Sequence, residues 1–212
     1  MSERGTQAVA VDVSQWEERY SSDPEAWFFG KEPSELGRLT VHFARWLRPE
    51  ERLRVLDLGC GEGRDAVYFA QQGYRVTAID AAAAGIRKTE RLVHERGVEL
   101  ADVRCGCVTE APIAERWDIV FSGNCLQSLG SECPCFLQRL QKVAPAQCIH
   151  AIRVVTSAAE GFADRPELYR FSPGELLARY AGWRILYSSE DLLYVPHADG
   201  LASFASIIAV KS

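Results

Sequence analysis

The chain has 212 residues, of which 47% are hydrophobic and 25% are charged, enough for one globular domain with a substantial core. A net charge of −5 without a basic run argues against sequence-independent binding of nucleic acid. No apolar run approaches the ~20 residues that cross a bilayer, and the first residues lack the pattern of a secretory signal. Seven cysteines in such a chain favour free thiols in a reducing compartment. We therefore expect a cytoplasmic protein that binds neither membranes nor nucleic acid; the sequence leaves its oligomeric state open.

Apolar spacing predicts alternating helices and strands along the chain. Positions 36–47 recur at helical spacing after Pro33-Ser34, which favours a helix start. Residues 53–58 form a short apolar run that is typical of a buried strand and ends in a glycine loop. The later elements, in chain order, are a helix over 66–70 that stops at Gly73, a strand over 74–79, a helix over 82–96 that stops at Gly97, strands over 99–105 and 118–121, a helix over 134–143, a strand over 148–155, a helix over 173–181, and strands over 183–189 and 203–210.

This order predicts the fold class. Strands that alternate with helices form βαβ units and a mainly parallel sheet with helices on both faces. The last two strands are joined by a short stretch without a helical pattern, so they should pair as an antiparallel hairpin. We expect an α/β fold with a seven-stranded, mostly parallel sheet. We also expect a flexible N-terminus over 1–15 and a single domain over 16–212.

The stretch VLDLGCGEGRDAVY, residues 55–68, indicates the class of ligand. Gly59 and Gly61 fit the dinucleotide fingerprint G-x-G-x-x-G, but the third glycine, Gly63, stands one position too early. Asp57, at the mouth of the loop, would repel a pyrophosphate and favour a cation. S-adenosylmethionine has no phosphate and carries an ammonium and a sulfonium. It fits this loop if Asp57 binds the ammonium and loop N–H groups bind the carboxylate.

Asp80 ends the second predicted strand, where its carboxylate is placed to accept hydrogen bonds from both ribose hydroxyls. The loop, with Asp57 at its mouth, therefore favours S-adenosylmethionine over a dinucleotide.

The pattern at 57–63, D-L-G-C-G-E-G, resembles motif I of the Rossmann-like, or class I, methyltransferases. More narrowly, the chain resembles the tellurite-resistance methyltransferase family in DLGCGEGRDAVYFAQQGYRV (57–76), FSPGELLARYAGW (171–183) and SED (189–191), with a weaker similarity in WFFGKEPSEL (27–36). The resemblance covers nearly all of residues 16–211. It implies a Rossmann-like methyltransferase that uses S-adenosylmethionine and acts on a small molecule. The expected cofactor-binding residues are Asp57, Gly59, Cys60, Gly61, Gly63, Arg64, Asp80, Ala81, Val108, Ser122 and Asn124.

Two stretches depart from the pattern of these families. Methyltransferases often place an acidic residue after the third strand for the adenine amine, whereas here Cys105-Gly-Cys107-Val108 leaves backbone contacts near Val108, or Glu110. The family tends to carry a His-Arg pair between the last two strands, whereas here His197 stands without an arginine. A tellurite-like substrate is therefore not implied by this loop.

Three residues are candidates for the catalytic site. Arg153 interrupts an apolar strand, so its guanidinium needs a partner, either a substrate anion or a local carboxylate. His197 is a candidate base or substrate contact. Asn124, with Cys125 and Gln127, should lie near the methyl group, although hydrogen bonding within the loop explains these residues equally well.

Trp16, Tyr20, Trp27 and Phe28 are expected to form an N-terminal lid, within about 16–48, that covers the cofactor. A helix-packing aromatic cluster is the alternative, and both can hold together.

Two Cys-x-Cys pairs, Cys105/Cys107 and Cys133/Cys135, form the most unusual feature of the composition. Cys133-Pro-Cys135 opens a predicted helix, where the helix dipole lowers a thiol pKa, and soft thiolates bind soft metals and metalloids. Small buried side chains without a role are the simpler explanation, and we favour it. We predict no metal site.

The favoured acceptor is a soft nucleophile, namely a thiol, selenium, tellurium or metalloid species, because such anions need no general base. The first alternative is an O- or N-methyltransferase that acts on a metabolite. The second is a regulator that binds S-adenosylmethionine without catalysis.

Overall fold

Seven strands form one sheet in the computed structural model, which describes residues 13–195 and 200–212. The order is β3-β2-β1-β4-β5-β7-β6. The strands are β1 (Arg54–Leu58), β2 (Arg75–Asp80), β3 (Asp102–Cys105), β4 (Ile119–Gly123), β5 (Ile149–Thr156), β6 (Arg184–Val195) and β7 (Gly200–Val210). The first five pair in parallel, and β7 lies antiparallel to both β5 and β6. The predicted α/β fold and its antiparallel C-terminal pair are confirmed.

Helices pack around this sheet. They are α1 (Ser14–Ser21), α2 (Glu35–Leu47), α3 (Arg64–Gln71), α4 (Ala83–Arg96), α5 (Cys133–Val143) and α6 (Glu175–Arg179). The predicted start of α2 holds because Ser34 Oγ accepts a hydrogen bond from Gly37 N at 3.0 Å. The predicted stop of α4 holds because Gly97 adopts a φ of 61°, which glycine tolerates without strain.

The core has two layers because successive strand residues point to opposite faces of the sheet. In β1, Leu56 and Leu58 pack in a cluster with side chains of α5 and α6. Val55 packs in a second cluster with side chains of α2 and α3. Both faces of the sheet are therefore covered, and the carboxyl ends of its parallel strands lie at one edge.

Several element boundaries differ from the prediction. The helix expected over 173–181 is a single turn because Gly174, at a φ of 75°, starts it late. β6 continues to Val195 instead of ending at 189, because its hydrogen bonds to β7 run the length of the hairpin. Helix α1 was not predicted as an element. Within the described residues, no helix is both long and apolar enough to cross a membrane.

Candidate functional site

Two adjoining cavities open at the carboxyl ends of the strands, where the sheet order reverses between β1 and β4. In α/β sheets this crevice is the usual ligand site. The inner cavity lies against the loops that follow β1, β2, β3 and β4. The outer cavity extends from it towards β5 and the β6–β7 hairpin. Both cavities are lined by Trp16, Phe29, Arg64, Asn124 and Ser128.

The glycine loop after β1 needs glycine for two reasons. Gly59, Gly61 and Gly63 have φ values of 78°, 56° and 84°, in the left-handed region. A Cβ atom on Gly59 would also lie 2.3 Å from Cys125 Sγ, and one on Gly63 would lie 2.9 Å from the Thr89 backbone. The loop is therefore compressed between β4 and α4, and its backbone forms one wall of the inner cavity.

The N–H groups of this loop are used within the protein. Gly59 N and Cys60 N donate to Ile79 O at 2.8 and 3.1 Å, and Gly61 N donates to Asp80 Oδ2 at 2.8 Å. Gly63 N donates to Cys60 O at 2.9 Å. We expected loop N–H groups to bind the carboxylate of a ligand, and at these four positions that expectation is wrong, because the turn itself consumes the donors.

Asp57 is the least satisfied polar group of the site. It is 1% exposed and lines the inner cavity, and neither carboxylate oxygen has a hydrogen-bond partner. Burial raises the pKa of this carboxyl well above its usual range, and the nearby Asp65 and Asp80 raise it further. A cation bound in the cavity would satisfy both oxygens, since a buried carboxylate is stabilised mainly by a charged or hydrogen-bonding partner.

Asp80 also lines the inner cavity, and its carboxylate accepts hydrogen bonds from the protein backbone. Its Oδ2 accepts from Gly61 N and its Oδ1 accepts from Ala82 N at 2.9 Å. Each oxygen keeps lone-pair capacity for a further donor, because a carboxylate has about four acceptor sites. Asp80 therefore fixes the glycine loop while it remains able to bind hydroxyl groups.

The other expected cofactor-binding residues divide into two groups. Cys60, Ala81, Val108 and Asn124 line the inner cavity, whereas Gly63 and Ser122 are absent from its lining. Ser122 is fully buried and donates from Oγ to Leu58 O at 2.9 Å, so its hydroxyl joins two strands instead of reaching a ligand.

An aromatic lid borders the inner cavity. Trp16 stacks on Tyr20 with ring centroids 5.7 Å apart and approaches Phe29 at 6.1 Å, and all three side chains line the cavity. Trp27 and Phe28 do not line it. Phe28 instead packs edge-on against Phe29, at 4.6 Å between centroids.

A buried ion pair holds this lid, and the sequence did not suggest it. Glu62, in the glycine loop, is 2% exposed and accepts from Phe28 N and Phe29 N at 3.1 Å each. Lys88 of α4 donates to Glu62 at 3.0 Å and to Ala26 O at 2.5 Å. The two residues of the pair are far apart in sequence, so neither helical spacing nor the glycine motif pointed to their contact.

Arg64 and Asp65 extend the same attachment. Arg64 Nη1 donates to Phe29 O at 2.9 Å, and its Nε lies 3.4 Å from Asp65 Oδ2. Asp65 Oδ1 accepts from Ser34 N and Ser34 Oγ at 2.7 and 2.9 Å. The residues that follow the glycine loop therefore connect the lid to the start of α2.

Asn124 stands at the junction of the two cavities. It has a φ of 64°, uncommon for a residue other than glycine, and its Oδ1 is buried without a partner. Gln127 Nε2 donates to Asn124 O at 2.7 Å, while Gln127 Oε1 is also buried without a partner. Asn124, which lines both cavities, and Gln127, which lines the outer one, therefore each carry an unsatisfied amide oxygen.

Arg153 lines the outer cavity. Its guanidinium lies 4.6 Å from the Phe204 ring centroid, and its Nη1 donates to Ser206 Oγ at a long 3.4 Å. Burial lowers the pKa of the guanidinium, but the group remains charged. Among the described residues no carboxylate forms an ion pair with it, so the local salt bridge that we considered is not present there.

The structure describes His150 but not the candidate His197. His197 lies outside the described residues, so its expected role stays a prediction. His150 is fully buried, and its Nδ1 lies 2.9 Å from Tyr180 Oη. Burial lowers the pKa of His150 to about 3, so this side chain is a neutral core histidine.

The Cys133/Cys135 pair does not form a thiolate centre. Cys133 is fully buried and Cys135 is exposed, so the two thiols of this pair do not converge. Burial raises the pKa of Cys133 to about 12, the opposite of the expected effect of the helix start. In the described part of the chain, no three His, Cys, Asp or Glu side chains are placed to hold a metal ion.

Comparison with known proteins places this architecture in a family. The sequence profile of a family described as "Tellurite resistance protein TehB" matches residues 41–202. The ubiquinone biosynthesis O-methyltransferase of Azorhizobium caulinodans is 30% identical over 123 residues, which are 58% of this chain and 48% of the relative. The probable S-adenosyl-L-methionine-dependent methyltransferase TehB of Haemophilus influenzae is 25% identical over 140 residues, which are 66% of this chain and 49% of the relative.

The crystal structure of TehB from Haemophilus influenzae superposes with a TM-score of 0.70 at 21% identity. The match covers 93% of this chain and 67% of that one. The chain therefore shares the fold, and it spans about half the length of the curated relatives that it matches. Because the family profile covers well over half of its residues, this protein belongs to the TehB family.

Proposed function

We propose that this protein transfers the methyl group of S-adenosylmethionine to a small molecule, with a soft nucleophile such as a thiol, selenium, tellurium or metalloid species as the acceptor. Family membership and methyltransferase relatives support the reaction class. The observation that carries the assignment is Asp57, whose buried, unpaired carboxylate lines the inner cavity.

The residues present fit this cofactor. Asp57 would hold its ammonium, and Asp80 would accept from its ribose hydroxyls. The carboxylate of the cofactor would bind Arg64, because the N–H groups of Gly59, Cys60, Gly61 and Gly63 are already engaged. Ala81 and Val108 offer apolar contacts for the adenine. A pyrophosphate at the glycine loop would instead meet Asp57, which disfavours a dinucleotide.

Bound there, the cofactor would supply a methyl group activated by its sulfonium. The chain contributes alignment and exclusion of water, and the lid of Trp16, Tyr20 and Phe29 would close the cavity over it. Among the described residues that line the outer cavity, Glu35 is the single carboxylate, and four arginines line the same cavity. An acceptor that is already anionic suits this environment better than one that must first lose a proton.

The second candidate function is an O- or N-methyltransferase. The similarity to an O-methyltransferase is the observation that favours it. Such an enzyme would need a base for a phenol or alcohol, and His197 is the candidate for that role. A regulator that binds the cofactor without turnover is the third reading of the same cavity.

Acceptor screening distinguishes these functions. Thiols, selenite, tellurite, arsenite, phenols and amines are each incubated with S-adenosylmethionine, and release of S-adenosylhomocysteine is measured. Turnover with a soft acceptor, at a rate that follows only the ionisation of the acceptor, supports the proposal. A preference for phenols, with an inflection near the histidine pKa of about 6.5, would favour the second candidate function. Cofactor binding without turnover on any acceptor would favour the regulator.

A further inference from the structure

The outer cavity carries an unusual excess of positive charge. Among the residues that the structure describes, its lining includes Arg19, Arg64, Arg153 and Arg165, and Glu35 is the one carboxylate. An anion that enters this cavity would find complementary charge at several points, whereas a cation would be repelled.

The four arginines are not equivalent. Arg64 pairs with Asp65, and Arg165 pairs with Glu167. Arg19 lies over the rings of the lid, with its guanidinium carbon 4.5 Å from the Phe28 centroid. Arg153 is the best candidate for binding an anion, because it lines the cavity and forms no ion pair with a described residue.

The position of Arg153 is built into the sheet. It pairs with Gly123 of β4 and with Ser206 of β7, and Asn124 N donates to Arg153 O at 2.9 Å. The guanidinium carbon lies over the ring of Phe204. A guanidinium has five N–H donors, and one long hydrogen bond to Ser206 leaves most of them for a ligand.

Apart from the arginines, much of the cavity wall is apolar. Its lining includes Val155, Phe162, Leu168, Leu193 and Phe204, beside a smaller polar part that includes Ser34, Gln127 and Ser128. An inorganic oxyanion is hydrated on all sides and gains nothing from such a wall, because its oxygens would lose water without new partners. An organic anion with a hydrocarbon body would bury that body here at about 25 cal/mol per Å² of apolar surface.

We propose that the methyl acceptor is a small organic anion with an apolar body, held by a carboxylate–Arg153 contact with its nucleophile at the junction marked by Asn124 and Ser128. This inference rests on the proposed function and narrows its acceptor class. For a thiol acceptor, the thiolate lone pair forms the new S–C bond. The bond from that carbon to the sulfonium of the cofactor breaks, and its electron pair neutralises the sulfonium. The thiol proton is lost to solvent before the transfer, no further proton moves, and the carboxylate is unchanged.

A matched pair of thiols tests the proposal. ω-Mercaptohexanoate and ω-mercaptohexanol have the same chain length and differ in the charge of the far end. We expect kcat/KM to favour the acid by about tenfold to a hundredfold, the value of a charge-assisted hydrogen bond. Arg153→Met should remove this preference by raising KM for the acid alone, and Arg153→Lys should restore part of it. Arg139→Met, on the exposed side of α5, is the control and should change neither rate.

Binding measurements separate this inference from the proposed function. S-adenosylhomocysteine is titrated into each variant, and all should bind it with unchanged affinity, because Arg153 does not line the inner cavity. The methylated products of the two thiols are then titrated into the loaded protein, and the acid should bind more tightly in the presence of Arg153. Equal binding of the two products, or faster turnover of tellurite or selenite than of either thiol, would overturn the inference and leave the methyltransferase intact. If the wild type bound no S-adenosylhomocysteine, the proposed function itself would fail.

Discussion

At the scale of single residues, Asp57 is the side chain on which the assignment of the inner cavity to S-adenosylmethionine depends. A buried carboxylate without a partner costs stability, and proteins keep such groups mainly at functional sites. Because burial raises its pKa in the folded chain, the folded protein holds this proton more tightly than the unfolded chain does. Stability should therefore fall as pH rises from the pKa of an unfolded aspartate towards the raised folded value.

Asp57→Asn removes both the titratable carboxyl and the negative charge that would pair with the ammonium of S-adenosylmethionine. Relative to the wild type, the variant should gain stability as pH rises from acidic to neutral. Its affinity for S-adenosylmethionine should drop by about 1.5–3 kcal/mol, the value of a hydrogen bond to a charged group. Thermal melts across pH and calorimetric titration measure the two effects, with Asp102→Asn at a partly exposed aspartate as the control. A pH-independent difference between wild type and variant, or unchanged affinity, would contradict this role.

At the scale of elements, the lid is joined to the glycine loop by the Glu62–Lys88 pair. Replacing one partner of a buried pair leaves the other uncompensated, which is more harmful than losing the pair. The backbone N–H groups of Phe28 and Phe29 also depend on Glu62. Any opening of the lid must therefore break contacts with the same loop that forms the wall of the inner cavity.

Glu62→Gln should loosen the lid without removing a group that lines the outer cavity. We expect the free energy of lid opening to fall by about 1–3 kcal/mol, with faster hydrogen exchange over 22–34 and weaker cofactor binding. Glu95→Gln is the matched control, because Glu95 also binds a residue near the lid, Lys31 at 2.6 Å, but in a partly exposed pair that contributes little. Unchanged protection over 22–34 in Glu62→Gln would show that the pair does not hold the lid.

At the scale of the whole molecule, the buried His150 makes the stability of the fold depend on pH. Its folded pKa of about 3 lies below the unfolded value of 6.5, so the unfolded chain binds the proton first. Stability should therefore be complete above the unfolded pKa and should fall as pH drops from about 6.5 towards 3.

Because of His150 alone, the free energy of unfolding should fall by about 2 kcal/mol between pH 7 and pH 5. His150→Gln should reduce the pH dependence of the unfolding free energy by that amount in urea titrations at the two pH values. His42→Gln, at an exposed histidine of α2, should leave the dependence as it is. Equal slopes for His150→Gln and the wild type would mean that His150 is not neutral in the folded protein.

The fold was predictable because it rests on local patterns. Apolar runs and helix stops such as Gly97 predicted most elements. The stretch between the last two strands has no helical pattern, which predicted their antiparallel pairing. Helix α6 was overestimated because helical spacing continues beyond its single turn. The pattern of the β6 sequence did not reveal how far hydrogen bonding to β7 would extend it.

The sequence predicted only those parts of the site whose residues belong to one local motif. Asp57 and Asp80 follow from the glycine loop and the end of the next strand. The surroundings of Arg153 come from Phe204 and Ser206 on a distant strand, and the lid attachment joins Glu62 to Lys88 across two elements. The thiol of Cys133 was misjudged because burial outweighs the helix dipole, and burial is a property of the folded chain.

The central claim is that the inner cavity is built for S-adenosylmethionine and not for a dinucleotide. Calorimetric titration of the wild-type protein with S-adenosylmethionine and, separately, with a nicotinamide dinucleotide tests it most directly. The account predicts saturable binding of S-adenosylmethionine at one site per chain, weakened in Asp57→Asn, and no binding of the dinucleotide. Binding of the dinucleotide with no affinity for S-adenosylmethionine would contradict it.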